Sequence, residues 1–280
     1  MWPLDVPERG WFTPNQVSGL GAAPIGIVSD PHPRGGVRVR HIQPQARVIN
    51  WPLVIRGTTA DGFQALWRSL ARAFTQTRRR GPGRLQIARP DGSVREIRAY
   101  YQAGWDGEPG RGWIDDTVVI SLLCEDPYWR STAPVRIRYE HGSPVSYLEP
   151  VHLTVSPASV LGTTTAVNSG DVEAWPEWTI TGPASAITAT NVSSGESFTL
   201  DPNWDGDGDL LSGQTVTITT DPPAVRGPAG DGDIWTGALN WPGAVLWGLQ
   251  PGTSNIQFAV SGSAAGTSIE LAFDLRFETP

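Results

Sequence analysis

The sequence predicts a mainly β protein of two domains, and three observations lead to this prediction. Glycine and proline, 32 and 25 of the 280 residues, interrupt the chain too often for many long helices. Between these breaks, short segments alternate apolar and polar residues, which is the period of a strand. The charge also shifts: residues 1–132 hold 17 Arg and 12 acidic residues, whereas residues 133–280 hold 4 Arg and 16 acidic residues. We therefore expect one domain over 1–132 and a second over 133–280.

The first half contains several strand patterns. Val37–Ile42 alternates strictly, which is typical of a strand buried on one face. Residues 48–55 predict another strand, with Pro52 at an edge or a bulge because proline has no amide hydrogen to donate. A hairpin with an Asp-Gly turn and a further apolar run are predicted at residues 85–89, 94–100 and 117–123.

One segment has the period of a helix, from Asp61 to about Thr77. Its apolar residues recur three or four positions apart on one face: Phe63, Leu66, Trp67, Leu70 and Phe74. Asp61 is expected to cap the helix, with Gln64 completing a capping-box-like pair. Three arginines at 78–80 and the Gly-Pro-Gly at 81–83 predict its end. We expect the apolar face to lie in the core of the N-terminal domain.

The second half has no segment with helical period. Its short strands, separated by turns about every 8–12 residues, predict an antiparallel sandwich or jelly roll. Residues 256–260 and 269–277 alternate apolar with polar side chains, so each is expected to bury one face.

Residues for common catalytic and metal sites are few or badly spaced. Cys124 is the only cysteine, so neither a disulfide nor a cysteine-rich zinc site can form within one chain. His32, His41, His141 and His152 show no metal-ligand spacing, and P-loop, dinucleotide-binding and Gly-x-Ser-x-Gly patterns do not occur. We expect no catalytic residue, no cofactor and no metal ion.

Two sets of acidic residues are the strongest candidates for a metal-binding or catalytic site. Asp205–Asp209 alternates aspartate with glycine, as loops that bind Ca²⁺ do. The EF-hand register fails, because its sixth position is Leu210 rather than glycine and its twelfth is Val216 rather than glutamate. A solvated loop with Asx turns is the expected structure. Glu173 and Glu177 could form the carboxylate pair of a glycoside hydrolase, but the sequence does not supply their separation.

The tryptophans of the second half leave a carbohydrate-binding alternative open. Six of them could form a surface on which sugars stack, although tryptophan more often lies in a core or an interface: Trp175, Trp178, Trp204, Trp235, Trp241 and Trp247. All 21 basic residues are arginine, but they are scattered and the net charge is −7, so we expect no specific nucleic-acid binding. We expect no membrane insertion either, since the apolar run at 118–124 is far shorter than a membrane helix. Residues 1–8 lack the basic and apolar regions of a signal peptide, which predicts a soluble protein.

Short motifs follow one another in a fixed order along nearly the whole chain. In the first half these motifs are residues 50–57, Leu66-Trp67-x-x-Leu70, Gly83-Arg84-Leu85, the Asp91-Gly92 hairpin and Asp126-Pro127-Tyr128-Trp129. In the second half they are residues 168–171, 176–183, 246–252 and the last strand. This order resembles the distal tail protein (Dit) family of long-tailed bacteriophages, in the type found in phages of actinobacteria. The absence of lysine fits a phage of a GC-rich host.

The resemblance implies an architectural virion protein of the tail tip, made in the host cytoplasm, and not an enzyme. Family members form a homo-hexameric ring of split-barrel N-terminal domains, with galectin-like C-terminal domains outside. The ring joins the tail tube protein to the tail-tip hub and its tail-associated protein, and it keeps a channel open for DNA. Since the C-terminal half is strongly acidic and self-repelling, we expect residues 1–132 to carry the ring contacts.

Two alternatives to this architectural role remain. One is a host-attachment module in which the protein binds a carbohydrate of the host surface. The other is a β-sandwich glycoside hydrolase.

Overall fold

The structure, a computed structural model, describes residues 3–14, 16–106, 114–141, 160–230 and 232–280. The chain divides into two units, Met1–Thr132 with Phe277–Pro280, and Ala133–Arg276. Strands dominate both units, so the predicted mainly β class is confirmed. We expected the second domain to run to residue 280, but its last four residues lie with the first unit.

Among its described residues the first unit contains nine strands and two α-helices, and its last strand begins at the final residue of the second unit. A 3₁₀ turn also occurs at Pro7–Arg9. The strands are β1 (Trp11–Phe12), β2 (Ile25–Pro31), β3 (Val37–Pro44), β4 (Arg47–Arg56), β5 (Gly83–Ala88), β6 (Val94–Ala103), β7 (Asp115–Cys124), β8 (Trp129–Ser131) and β18 (Arg276–Phe277). The helices are α1 (Ala60–Thr75) and α2 (Thr77–Arg80).

Seven of these strands form one sheet, in the order β1-β4-β7-β6-β8-β18, with β5 paired to β6. The long β4–β7 ladder places Ile49, Leu53 and Ile55 on the same face as Leu122 and Val118. These five side chains are buried in one core with apolar residues of α1. The expected hairpin is also confirmed, since β5 pairs with β6 across the Asp-Gly turn.

The helix differs from the prediction at both ends. Its N-cap is Thr59, whose hydroxyl accepts a hydrogen bond from the amide of Gly62 at 3.1 Å, so the expected cap at Asp61 is wrong. The arginines expected to end the helix form α2 instead, and Gly81, with a φ of 83°, ends that turn. Of the predicted apolar face, Leu70 is fully buried, whereas Leu66, Trp67 and Phe74 are partly buried against the same core. The Trp67 indole donates to the Asp116 carboxylate at 3.0 Å.

Pro52 lies inside β4 at a gap in its pairing. Asn50 exchanges both backbone hydrogen bonds with Ser18 on the side away from β7, and Arg56 donates to Gly10 on that same side. Because backbone groups alternate sides along a strand, the nitrogen of Pro52 also points there, between the two paired stretches. The ladder between β4 and β7 therefore lacks no hydrogen-bond donor because of the proline.

A buried arginine holds the end of the chain in the first unit. The guanidinium of Arg47, which is 1% exposed, donates to the carbonyls of Gly19 (3.1 Å), Gly21 (2.6 Å) and Glu278 (3.0 Å). Burial lowers the pKa of this guanidinium, while the neighbouring thiol of Cys124 acts in the opposite direction.

Two further contacts fix the same C-terminal segment. The Glu278 carboxylate accepts from the amide of Ala23 at 2.7 Å. Arg95 lies 3.5 Å from the ring centroid of Phe277 and donates to the carbonyl of Thr279 at 2.6 Å. These contacts explain why Phe277–Pro280 belongs to the first unit.

The second unit is an antiparallel sandwich, as predicted. One sheet has the order β10-β16-β12-β13 and the other β15-β14-β11-β17-β9. Their bounds are β9 (Val135–Glu140), β10 (Val160–Asn168), β11 (Glu177–Thr181), β12 (Ala186–Asn191), β13 (Ser197–Leu200), β14 (Thr215–Thr220), β15 (Pro223–Arg226), β16 (Gly252–Ser261) and β17 (Ser268–Phe273). The core is centred on Trp178, whose ring meets Phe198, Trp247 and Phe258 edge-on at 4.9–5.9 Å.

The expected strand over residues 269–277 is shorter than its alternation suggested. β17 ends at Phe273, and Phe277 lies in β18, a strand of the other unit's sheet. The alternating pattern over residues 269–277 thus comes from two strands in different sheets, each of which buries apolar side chains, and not from one long strand.

Replacing Arg47 by methionine is expected to lower the free energy of unfolding by about 2 kcal/mol or more. Hydrogen bonds from a charged donor contribute about 1.5–3 kcal/mol each, and the removed cost of burying a charge offsets part of this. Urea denaturation measures the change. Arg98→Met, at an exposed position of β6, is the control and should change stability by less than about 0.5 kcal/mol. Equal effects of the two variants would contradict the structural role of Arg47.

Native Cys124 is expected to resist thiol reagents at pH 8. The thiol is fully buried, and burial raises its pKa to about 11, so about 0.1% would be thiolate at that pH. Ellman's reagent should detect no thiol in the folded protein and one per chain in guanidinium chloride. Complete reaction of the folded protein within minutes would show that this part of the core opens.

Candidate functional site

The hairpin of β2 and β3 is exposed along most of its length. All eight residues of β3 are exposed, as are five of the seven residues of β2. Six apolar residues of the hairpin each expose 48–65% of their surface: Ile25, Ile27, Val28, Val37, Val39 and Ile42. The two strands form a sheet of their own.

The register of the hairpin separates its apolar and polar side chains. Alternate residues of a strand, and the residues paired across from them, share one face. By this rule one face, called here the apolar hairpin face, contains Ile25, Ile27, Ser29, Pro31, Val37, Val39, Ile42 and Pro44. The opposite face contains Gly26, Val28, Asp30, Arg38, His41 and Gln43.

A β-bulge produces this separation. In an uninterrupted strand Val37 and Val39 would share one face, and Ile42, an odd number of residues away, would lie on the other. The register shifts between Val28 and Ser29, and the extra residue opposite this shift is Arg40. Arg40 forms an ion pair with Asp30 of the polar face.

The structure therefore corrects the interpretation of Val37–Ile42 as a strand buried on one face. The chain contains the apolar side chains of such a strand, but within one protomer they stay in solvent. An isolated two-stranded hairpin is at best marginally stable in water, and a contiguous exposed apolar surface marks an interaction site. The apolar hairpin face is thus the candidate assembly surface of the first unit.

The same unit has a second uncharged surface, on the side of the β4–β7 ladder that faces away from the core. Register pairs Val48 with Leu123, Asn50 with Ser121, Pro52 with Val119 and Val54 with Thr117 on this outer ladder face. Val48 and Val119 are 39% and 50% exposed, Pro52 is buried within the protomer, and all eight side chains are uncharged. Such a surface suits contact with another apolar sheet face.

His32 and His41 are polar surface residues. The His32 imidazole accepts from the amide of Arg34 at 3.2 Å, and that of His41 lies 3.2 Å from the Gln43 side chain on the polar hairpin face. His152 lies outside the described residues. Within the part of the chain that the structure describes, no three His, Cys, Asp or Glu side chains are grouped so as to hold a metal ion. In that same part, no helix is long and apolar enough to cross a bilayer.

The loop at Asp205–Asp209 has the expected Asx-turn geometry. The Asp205 carboxylate accepts from the amide of Asp207 at 3.2 Å, and the Asn203 side chain accepts from the amide of Gly208 at 2.9 Å. The three aspartates of the loop are exposed. The loop thus organises itself with its own side chains.

Glu173 and Glu177 have different surroundings. Glu177 is exposed on β11, on the opposite side of the strand from buried Trp178. Glu173 accepts a hydrogen bond from Gln250 at 2.8 Å, and its pKa is raised by partial burial and by Glu196. None of these contacts brings Glu173 to Glu177, so nothing in them supports the hydrolase alternative.

The six tryptophans of the carbohydrate-binding alternative separate into two groups, so they do not all lie on one surface. Trp178 and Trp247 are 1% and 2% exposed and belong to the sandwich core, against which Trp235 is partly buried. Trp175, Trp204 and Trp241 remain exposed. The sequence alone could not separate these groups, because the burial of each tryptophan depends on what its strand or loop packs against.

Comparison of the chain with protein-family models gives no match, and comparison with the curated proteins gives none either. Solved structures do match. The crystal structure of the SPP1 Dit protein superposes with a TM-score of 0.67, at 12% sequence identity, over 96% of this chain and 95% of that one. The fold of this chain is similar to that of SPP1 Dit. That protein is described as a paradigm of the hub adsorption apparatus in phages that infect Gram-positive bacteria.

Two structures of the phage P2 baseplate in its activated conformation, with calcium and with strontium, match more weakly. Each has a TM-score of 0.49 and 10% identity, over 95% of this chain and 90% of the other. These values are too low to carry an argument. The Dit-like fold therefore rests on the SPP1 protein, and at 12% identity it establishes the fold alone.

Calcium is expected to leave the thermal stability unchanged. The Asp205–Asp209 loop lacks the EF-hand register and satisfies part of its own hydrogen bonding. Thermal unfolding in millimolar CaCl₂ and in EDTA measures this, because a ligand at a hundredfold excess over Kd stabilises the folded state by about 2.7 kcal/mol. A rise of several degrees in Tm with calcium, abolished in Asp207→Asn, would establish a metal site in the loop.

Proposed function

We propose that this protein is a structural component of a phage tail tip, a distal tail hub that assembles into a ring through its first unit. The observation that carries the proposal is the apolar hairpin face, which one protomer leaves in solvent. The Dit-like fold over nearly the whole chain supports the same role, as do the motifs that resemble the actinobacterial phage type.

The partner we assign to the apolar hairpin face is the outer ladder face of a second copy. Both surfaces are uncharged, so neither has to desolvate a charge on contact. Because they are different surfaces, their contact is heterologous, and repetition around an axis closes into a ring when the rotation allows it. A hexamer is the size that the family resemblance implies.

The charges of the two halves favour the first unit as the ring. Residues 1–132 hold 17 Arg and 12 acidic residues, so identical copies repel one another weakly. Residues 133–280 hold 4 Arg and 16 acidic residues, and a symmetric contact between copies of that half would bring like charges together. In this proposal the ring joins the tail tube protein to the tail-tip hub, and the protein has no enzymatic role.

The test uses two variants that differ only in the face of the hairpin they change. Ile27 and Val28 are neighbours, both aliphatic, and 55% and 58% exposed, but they point to opposite faces. Ile27→Asp is expected to reduce the mass of the full-length protein, measured by multi-angle light scattering, from a closed oligomer to a protomer. Val28→Asp is expected to preserve the oligomer.

A third variant tests the partner surface. Val119→Asp, on the outer ladder face, is expected to act like Ile27→Asp, and neither variant should change the far-UV circular dichroism, because both side chains are exposed in the protomer. A monomeric wild-type protein at tens of micromolar would contradict self-assembly. An oligomer that Ile27→Asp leaves intact would exclude the hairpin as its contact.

A further inference from the structure

Two exposed tryptophans of the second unit are anchored to the same short turn. The turn is a 3₁₀ segment, Thr236–Ala238, and the side chains are Trp204 and Trp241, 41% and 52% exposed. The ring of Trp204 lies directly against Gly237, where a Cβ atom would stand 2.6 Å from its Cζ3 atom. The Trp241 indole donates to the carbonyl of Thr236 at 2.9 Å. Both rings are therefore held against adjoining residues of one turn, and the pair is called here the aromatic surface.

The turn beneath these rings is rigidly attached to the sandwich. Ala238 is buried in the core, and its carbonyl accepts from the amide of Asp201 at 2.8 Å. Asn240 binds Thr199 of β13 twice, through its amide (3.1 Å) and its side-chain oxygen (2.8 Å). Rings fixed in this way lose little conformational freedom on binding a ligand.

Hydrogen-bond acceptors adjoin the aromatic surface. Trp204 is followed in sequence by the exposed acidic loop, in which Asp205 and Asp207 are held in turn conformation. Each carboxylate has two oxygens and about four acceptor sites, so the bond from the Asp207 amide to one oxygen of Asp205 leaves acceptor capacity for a ligand.

We propose that Trp204 and Trp241 bind a neutral carbohydrate chain. The C–H faces of a sugar ring pack on an indole, and its hydroxyl groups donate to carboxylates. The site thus combines an apolar aromatic surface with hydrogen-bond partners at its edge, a combination for which tryptophan is enriched at interfaces. The net charge of residues 133–280, 12 more acidic residues than arginines, argues against nucleic acids and other polyanions, which also stack on tryptophan but require a basic surface.

This site does not depend on ring assembly, since it lies wholly within the second unit. The proposal goes beyond the architectural role, because it gives the hub a binding function of its own. Its failure would leave the hairpin contact untouched, and the Ile27→Asp variant, tested beside the wild type, should keep the same affinity per protomer.

Affinity electrophoresis of the full-length protein tests the proposal in gels that contain galactan, mannan or dextran, three neutral polysaccharides. Retardation by at least one of them is expected. Trp204→Ala and Trp241→Ala should each raise the dissociation constant at least about fivefold, the loss of roughly 1 kcal/mol from one aromatic contact. Trp204→Phe should bind more tightly than Trp204→Ala, because a smaller aromatic ring still packs on the sugar.

Trp175→Ala is the matched control, because Trp175 is also an exposed tryptophan of the second unit, 38% exposed, but belongs to another segment. It should bind as the wild type does. Absence of retardation in all three gels would overturn the proposal, as would retardation that neither Trp204→Ala nor Trp241→Ala weakens. Retardation only by heparin or only by polylysine, run in parallel, would also overturn it in favour of a charged ligand.

Discussion

The first unit depends on one buried guanidinium, which joins the loop before β2 to the C-terminal segment. Arg47 begins β4, the strand that carries much of the core, and its side chain reaches carbonyls that lie 28 and 26 residues before it and 231 residues after it. Burying an arginine is costly, and the cost is met only when its donors find fixed acceptors. Three backbone carbonyls accept from its two terminal nitrogens, which ties the loop before β2 and the C-terminal segment to this point. The sandwich is consequently an insertion, bounded at each end by residues of the first unit.

The same loop leads directly into β2, so the anchor at Arg47 also determines where the hairpin begins. Beyond it, the bulge at Arg40 turns a strand of mixed orientation into an amphipathic ribbon. Bulges often redirect side chains in this way, and here the result is an apolar surface that the protomer itself does not cover. A surface of this kind costs solubility unless a partner occupies it, which explains why the proposed contact between copies falls on the hairpin rather than on the acidic sandwich.

Local patterns predicted the local elements well and the long-range ones poorly. The helix period, the Asp-Gly hairpin and the strand over 117–123 follow from neighbouring residues, and all three are found. Thr59 rather than Asp61 caps the helix. Both residue types can cap, and only the path of the incoming chain decides between them. The return of Phe277–Pro280 to the first unit depends on contacts with Arg47 and Arg95, residues far away in sequence.

The candidate site shows even more clearly that local sequence patterns do not predict long-range contacts. Alternation at Val37–Ile42 correctly identified a strand, but it could not reveal the bulge that brings Ile42 to the face of Val37 and Val39, nor whether that face is covered by the same chain or by another. Likewise, the six tryptophans divide into a core group and an exposed group, since the burial of each depends on what its strand or loop packs against. Because each unit has its own core, the hairpin and the aromatic surface are built on separate scaffolds. A substitution that removes one proposed function therefore need not perturb the other, and in our proposal this separation lets a single chain both assemble and bind.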